Sequence, residues 1–308
     1  MFSQLLRKKH SLTYAEFMVE AAFWKMHGAG NDFLVLEPLP DFPSGNDSLA
    51  DFVVWACDRH HGVGADGMIL VLPSELADRR MRIINADGSE AEMCVNGIRC
   101  FVKYCFDRQL LTSLDGLMTV ETLSGVIQTE AVTDADGWVC DVRVTLPPPE
   151  FDLTSVGVEI ETEPPVTDFS ISISDENFRE TFPVTLISMG NPHAVRFLEE
   201  SLQDYPLHSA GPLVECHPMF SNRTNYEVVR VQDRTSLSMR VWERGVGETQ
   251  ACGSGACAAV VAARLRGVVD DDVEVALPGG VLRIEWPGKG MISLSGPATK
   301  VFEAVLQQ

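Results

Sequence analysis

The sequence predicts an α/β (α+β) protein of two pseudo-symmetric domains, each a strand-rich, barrel-like shell around a central helix. Three observations predict it. Residues 81–105 and 240–264 share one plan: a strand, a polar turn, a cysteine, a glycine three residues on, and an apolar helix. Two further pairs recur in the same chain order, Gly30-Asn31 with Gly190-Asn191 and Val120–Ile127 with Val275–Leu282, so the offsets run 160, 158 and 155. An ordered set of offsets is the mark of a duplicated domain. Finally, both cysteine helices are apolar on most faces, and such a helix needs burial all round by the strands that flank it.

The elements follow in order. Residues 24–37 read as a strand broken at Gly28 and Gly30, whose glycines permit a turn that projects Asn31. A short helix is expected over Asp51–Cys57, then a glycine-studded loop and an apolar strand ending near residue 72. Gly62, Gly64 and Gly67 precede a strand and lack a Lys-Ser/Thr pair, so a nucleotide loop is excluded. After the first cysteine helix, residues 118–123, 126–132 and 138–146 alternate as strands and are closed by Pro147-Pro148-Pro149, the expected domain boundary. Acidic, proline-interrupted sequence over 150–180 predicts strands and exposed loops without chemistry. Residues 182–198 restore the strand, Gly-Asn turn and strand, 225–231 with 237–243 form a hairpin, and 273–286 with 291–296 supply further strands. The second cysteine helix, 256–267, ends at Gly267. The expected division is an N-terminal extension at 1–22, a first domain at 23–146 with the final strand near 297–308 packed back onto it, and a second domain at 147–296.

At 308 residues, 45% of them hydrophobic, the chain can bury a large core in two domains. Its formal charge of -20 argues against nucleic acid or an anionic membrane as partner, since both demand basic surface. No stretch reaches the roughly 18 apolar residues of a membrane span, and Glu16 and Glu20 interrupt the region behind Arg7-Lys8-Lys9, so no secretory signal is expected. The location expected is cytoplasmic, with the eight cysteines reduced. No pair has Cys-x-x-Cys spacing, so no zinc or other metal site is expected. Cys100, Cys105 and Cys257 fall on apolar helix faces, and Cys57, Cys140 and Cys216 are expected to be small buried or half-buried residues.

That leaves Cys94 and Cys252, each at the start of a helix. There the free N–H groups and the macrodipole favour anions, so a thiol pKa near 8.5 is expected to fall toward neutrality, and a carboxylate can be seated beside it. Two such thiols are compatible with a disulfide, a redox pair, a nucleophile with a spare, or two acid/base groups. A hydrolase would leave one cysteine without a role, and a redox pair generally sits close in sequence. Thiols on opposite sides of a substrate suit racemisation or epimerisation, in which one face of a carbon loses a proton and the other gains one. An amino-acid Cα–H is a weak acid, and two helix N-termini can stabilise charge delocalised into its carboxylate without a cation or cofactor.

The stretches MHGAGNDF, RIINADGSEAEMC-x-NGIRC, SMGNPH and WERGVGETQACGSGACAA resemble, in sequence and order, the motif set of the diaminopimelate epimerases. The resemblance runs from residue 25 to the C-terminal tail. It implies conversion of LL- to meso-2,6-diaminopimelate for lysine and peptidoglycan synthesis, no cofactor, and a homodimer. By motif position, Cys252 is the proton acceptor and Cys94 the donor in the LL-to-meso direction. The N–H groups of Val95, Asn96, Gly253 and Ser254 are implied to hold the reacting carboxylate. Asn31, Asn85, Asn191 and Asn225 are implied to bond the substrate's polar ends, with Arg244 on its distal carboxylate and Glu243 near an amine. His193 and Glu243 are implied to bias the thiols. Two positions depart from the family pattern. Val95 stands where glycine is usual and would be strained if that position needs φ > 0, and Gly67 stands where some members carry a polar side chain. The same fold could serve a racemase of another amino acid, such as histidine, or a silent binding or redox-sensing relative.

Overall fold

The computed structural model describes residues 20–38, 42, 45–111, 115–159, 162–176 and 178–307. Residues 1–19 of the expected extension lie outside the described residues.

The first half runs β1 (Glu20–Gly28), β2 (Asn31–Leu36), α1 (Asn46–Cys57), β3 (Gly67–Leu72), β4 (Arg79–Asn85), β5 (Glu90–Ala91), α2 (Val95–Asp107), β6 (Leu117–Thr122), β7 (Gly125–Thr133) and β8 (Val139–Leu146). The second runs β9 (Val166–Ser174), β10 (Arg179–Ser188), β11 (Pro192–Phe197), α3 (Leu207–Glu215), β12 (Asn225–Asp233), β13 (Ser236–Glu243) and β14 (Gly247–Thr249). It continues through α4 (Gly253–Leu265), β15 (Asp272–Leu277), β16 (Gly280–Glu285), β17 (Ile292–Gly296) and β18 (Thr299–Gln307).

The duplication read from sequence is visible in the pairing. β2 runs parallel to β3 and β4 parallel to β6, with antiparallel neighbours between and after them. β11 with β12 and β13 with β15 repeat those parallel steps in the same order. The turn glycines Gly30 and Gly190 both have φ +86°, a left-handed conformation that glycine adopts without a Cβ penalty. β8 pairs antiparallel with β17, which joins the halves, and the last strand, β18, pairs antiparallel with β1.

Each half wraps one helix. α2 packs against β1 to β4, β7 and β8, and α4 against β10 to β13 and β15 to β17, while the two helices also touch. Every residue from Val95 to Cys105 is buried, and α4 is buried from Ala256 to Ala263. The alanines of α4 let strands approach closely, and Val260 and Val261, both 0% exposed, each contribute about 1.5–3 kcal/mol of apolar burial. Both helices end in a Schellman motif: Leu110 N–H donates to Cys105 O and Gln109 N–H to Phe106 O in α2, Val268 N–H to Ala263 O and Gly267 N–H to Arg264 O in α4. The left-handed residue is Gln109 (φ +55°) in one copy and Gly267 (φ +70°) in the other. No helix among the described residues is long and apolar enough to cross a membrane.

Two expectations need correction. The second half has a further helix, α3, whose Gly211 and Pro212 conceal it from propensity. It forms because Gly211 lies on Trp242, where a Cβ would come within 2.4 Å of a ring carbon, and because burial of Leu207, Ala210 and Val214 holds it there. Cys140 and Cys216, expected to be at least half-buried, are exposed: Cys140 lies on the outward face of β8, and Cys216 caps the outer end of α3.

Candidate active site

The two cysteines occupy matching backbone positions. Cys94 is the N-cap of α2 with φ -141° and ψ 115°, and Cys252 is the N-cap of α4 with φ -121° and ψ 116°. Each sulfur accepts the N–H three residues on, from Gly97 and from Gly255, at 3.4 Å in both copies. A thiol here replaces the Ser, Thr or Asp that usually satisfies that donor. The helix starts abut: a Cβ on Gly253 would lie 2.9 Å from the Cβ of Val95. Val95 begins α2 and is not among the residues with positive φ, so the strain conditional on that conformation does not arise.

Around Cys94 the structure gathers residues of both halves. Asn31 Oδ1 lies 3.4 Å from the Cys94 sulfur and accepts from Asn96, while its Nδ2 donates to Asp66. Asn96 also donates to Ala251 O, next to the second cysteine. A cavity of about 880 Å³ opens here, lined by Asn31, Asn85, Cys94 and Glu243, with Arg59 and Asp66 at its wall. Asn85 is held by its bond to Ser89 Oγ at 2.9 Å.

Cys252 is buried and surrounded differently. Ser254 Oγ lies 3.5 Å from its sulfur and accepts from Asn191, whose Oδ1 lies 2.9 Å from His193 Nε2. Glu243, bonded by Thr249, is placed where its charge acts on both thiols. Burial raises the Glu243 pKa itself. Asn225 is engaged with backbone, donating to Pro192 O and accepting the Arg244 N–H at 2.9 Å, so it fixes the loop that carries Arg244. The Arg244 side chain is exposed, and its guanidinium donates to Asn222 O.

The expectation that helix position lowers both thiols is overturned. Burial pushes Cys94 up, and Glu243 adds to it against the bonds from Gly97 and Asn96. Burial pushes Cys252 well up, with the charges of Glu243 and Glu227 adding. Desolvation of a thiolate outweighs two or three N–H groups at a helix start.

A profile of the diaminopimelate epimerases matches residues 23–149 and 185–301. The diaminopimelate epimerase of Moorella thermoacetica is 45% identical over 281 residues, covering 91% of this chain and 97% of the relative. That of Carboxydothermus hydrogenoformans is 43% identical over the same shares. The chain belongs to the diaminopimelate epimerase family.

Solved structures share the fold of this family member at low identity. A phenazine biosynthesis protein of the PhzF family from Bacillus anthracis superposes with a TM-score of 0.65 at 18% identity, covering 94% of this chain and 100% of the other. A hydroxyproline epimerase from Agrobacterium vitis gives 0.64 at 15%, covering 94% and 92%.

Sequence reasoning missed Glu227. In this diaminopimelate epimerase family chain it is 0% exposed on β12, and its Oε1 lies 2.7 Å from His193 Nδ1. A glutamate inside the run NYEVVRV reads as the solvent side of an alternating strand, but residues 225–229 are all buried. What buries it is the parallel pairing to β11, which covers this strand on both faces and leaves no local signal in the sequence.

Proposed function

We propose that the protein is an isomerase that interconverts LL- and meso-2,6-diaminopimelate by proton transfer between two thiols across one substrate Cα, with no cofactor. The observation that carries this reading is the equivalence of Cys94 and Cys252, which cap two abutting helices of a duplicated fold with the same 3.4 Å N–H bond. In the LL-to-meso direction Cys252, as thiolate, takes the Cα proton from one face, and Cys94, as thiol, donates its proton to the other. The C–H bond breaks toward one sulfur while a new C–H bond forms from the second, so the protonation states of the pair are exchanged after turnover. The negative charge passes into the substrate carboxylate, held by N–H groups of Val95, Asn96, Gly253 and Ser254 at the two helix starts.

Because burial favours the protonated form of both thiols in the free protein, the thiolate forms only where a neighbouring group accepts its proton. Glu243, itself raised by burial and acting on both sulfurs, is suited to that transfer, and His193 reaches the Cys252 side through Asn191 and Ser254. Asn31, Asn85, Asn191 and Asn225 hold the polar ends of the substrate. Arg244 takes the distal carboxylate with a charge-assisted pair, and Glu243 faces an amine. This second polar end favours diaminopimelate over a substrate with one charged end, such as histidine. The protein then serves lysine and peptidoglycan synthesis in the cytoplasm as a homodimer. Its units are residues 23–146 with the closing strand, and 147–296.

Proton NMR of the protein with LL-diaminopimelate in D₂O tests the reading. Solvent deuterium should enter at one Cα as meso product appears. A folded, reduced sample that gives no exchange and no meso product would overturn it.

A further inference from the structure

The duplicated fold does not treat its two cysteines alike. Val195 pairs with Glu227 in the second half as Val35 pairs with Ile69 in the first, so Glu227 stands where the first copy has an isoleucine. By the same correspondence His193 stands where the first copy has Phe33. Both helix glycines feel the difference. A Cβ on Gly97 would meet Ile69 Cδ1 at 3.2 Å, whereas a Cβ on Gly255 would meet Glu227 Oε1 at 2.8 Å and the Cys252 sulfur at 3.4 Å. The Glu227 carboxylate and the Cys252 thiol therefore flank the same bare Cα, and Gly255 is glycine because nothing larger fits between them.

A second route joins the two groups. Glu227 Oε1 lies 2.7 Å from His193 Nδ1, His193 Nε2 lies 2.9 Å from Asn191 Oδ1, Asn191 Nδ2 donates to Ser254 Oγ at 3.4 Å, and Ser254 Oγ lies 3.5 Å from Cys252 Sγ. An amide oxygen only accepts, so Nε2 carries a hydrogen. The Nδ1 to Oε1 contact then holds a proton whether the pair is acid with imidazole or carboxylate with imidazolium. Either way the imidazole ring and the Asn191 amide have one orientation. Both members of the pair are 0% exposed, and Glu227 Oε2 has no hydrogen-bond partner among the described residues. Buried carboxylate oxygens without a donor are uncommon in folded proteins.

We propose that Glu227 is a positioning residue for Cys252, which with His193 fixes the thiol beside Gly255 and through Asn191 and Ser254, and makes that acid/base group chemically distinct from Cys94. The inference rests on the two-thiol reading above. In its carboxylate form Glu227 also opposes ionisation of Cys252, in keeping with a group held as thiol until substrate enters.

Glu227→Gln separates charge and proton from shape, because the glutamine amide can donate to Nδ1 and leave the Nε2 bond in place. The free protein is first alkylated with iodoacetamide, and the ratio of Cys252 to Cys94 modification is read by mass spectrometry, a measurement that needs no substrate. The ratio should change at least about fivefold in the variant, with Cys94 unchanged, because only the thiol that Glu227 holds responds to its loss and the reactivity of that thiol follows its thiolate fraction. In turnover of LL-diaminopimelate, kcat should fall about tenfold or more with KM within about twofold. An unchanged ratio, or an equal change at both cysteines, overturns the proposal. So does an unchanged kcat. Wild-type protein inactive on diaminopimelate, with the ratio still shifted in Glu227→Gln, would sink the substrate reading and leave the positioning role standing. If the glutamine variant does not accumulate folded, Ser254→Ala cuts the second route at its half-buried end, and an unchanged alkylation ratio there overturns the proposal equally.

Discussion

Asn96 donates a hydrogen bond to the carbonyl of Ala251 at 3.1 Å, and so ties the residue two past one cysteine to the residue just before the other. Its own Oδ1 accepts from Arg99 at 2.8 Å, and Arg99 Nε donates to Pro297 O at 3.2 Å, beyond the end of β17. One buried pair of side chains thus holds the two helix starts and the crossover to the last strand in register. Arg99 is 0% exposed and its Nη1 lacks a partner among the described residues. Arg99→Met should lower Tm by several degrees, since it leaves Asn96 Oδ1 and Pro297 O without their donor. With Asn96 unanchored, kcat should fall about tenfold. Thermal melts beside initial rates check this, and a variant that melts early yet keeps full kcat would contradict it.

Cys94→Ala and Cys252→Ala should each abolish epimerisation, because a two-sided transfer needs a base and an acid at once. Serine at either position should also be nearly inactive, since an alkoxide is far less accessible near neutral pH. Full activity in any of these, followed by NMR of the meso product, would rule out the paired-thiol mechanism.

Val95 should affect packing and leave the substrate unchanged. Val95→Gly should alter kcat/KM for diaminopimelate by less than about tenfold, or roughly 1.4 kcal/mol, because the N–H survives the change. Gly253→Ala should be severely impaired, as its Cβ would lie 2.9 Å from the stiff Val95 Cβ. Combining the two should recover much of the loss. A double variant no better than Gly253→Ala alone would show that the contact is not what excludes a side chain there.

The buried thiols make the fold sensitive to alkali. Burial pushes Cys57, Cys100 and Cys257 up to about 12 from an ordinary 9.0. Below about pH 9 the thiols are protonated in both folded and unfolded chains. Between there and about 12 only the unfolded chain releases these protons, so stability is lost as pH rises, by about 1.4 kcal/mol per unit for each thiol. Urea unfolding at a series of pH values should give this falling stability, and Cys257→Ala should reduce the slope by about one proton. An unchanged slope would place the alkaline loss elsewhere.

The chemistry-bearing stretches were legible because local sequence specifies them: a strand, a polar turn, then a cysteine at a helix start, twice over. Gly30 and Gly190 could be paired from sequence alone, and both take the same left-handed φ. What could not be read depended on distant partners. α3 contains Gly211 and Pro212 and is a helix because Trp242 lies beneath it and Glu215 accepts from the Trp242 indole and the Gly245 N–H. The thiol pKa directions depend on burial, which the helix-start motif does not encode. Glu227 was hidden for a similar reason, since its role arises only where β12 passes Gly255.

The pairing of β18 with β1 runs over eight residue pairs, from Glu20 with Gln307 to His27 with Thr299. On the ribosome, β1 emerges among the first described residues and its neighbour among the last. The strand order therefore completes the neighbours of β1 late: until β18 has left the exit tunnel, β1 has β2 on one side and an open edge on the other. Translation halted before residue 299 would release a nascent chain with both thiols synthesised and one sheet unclosed, a substrate for chaperones more than an enzyme.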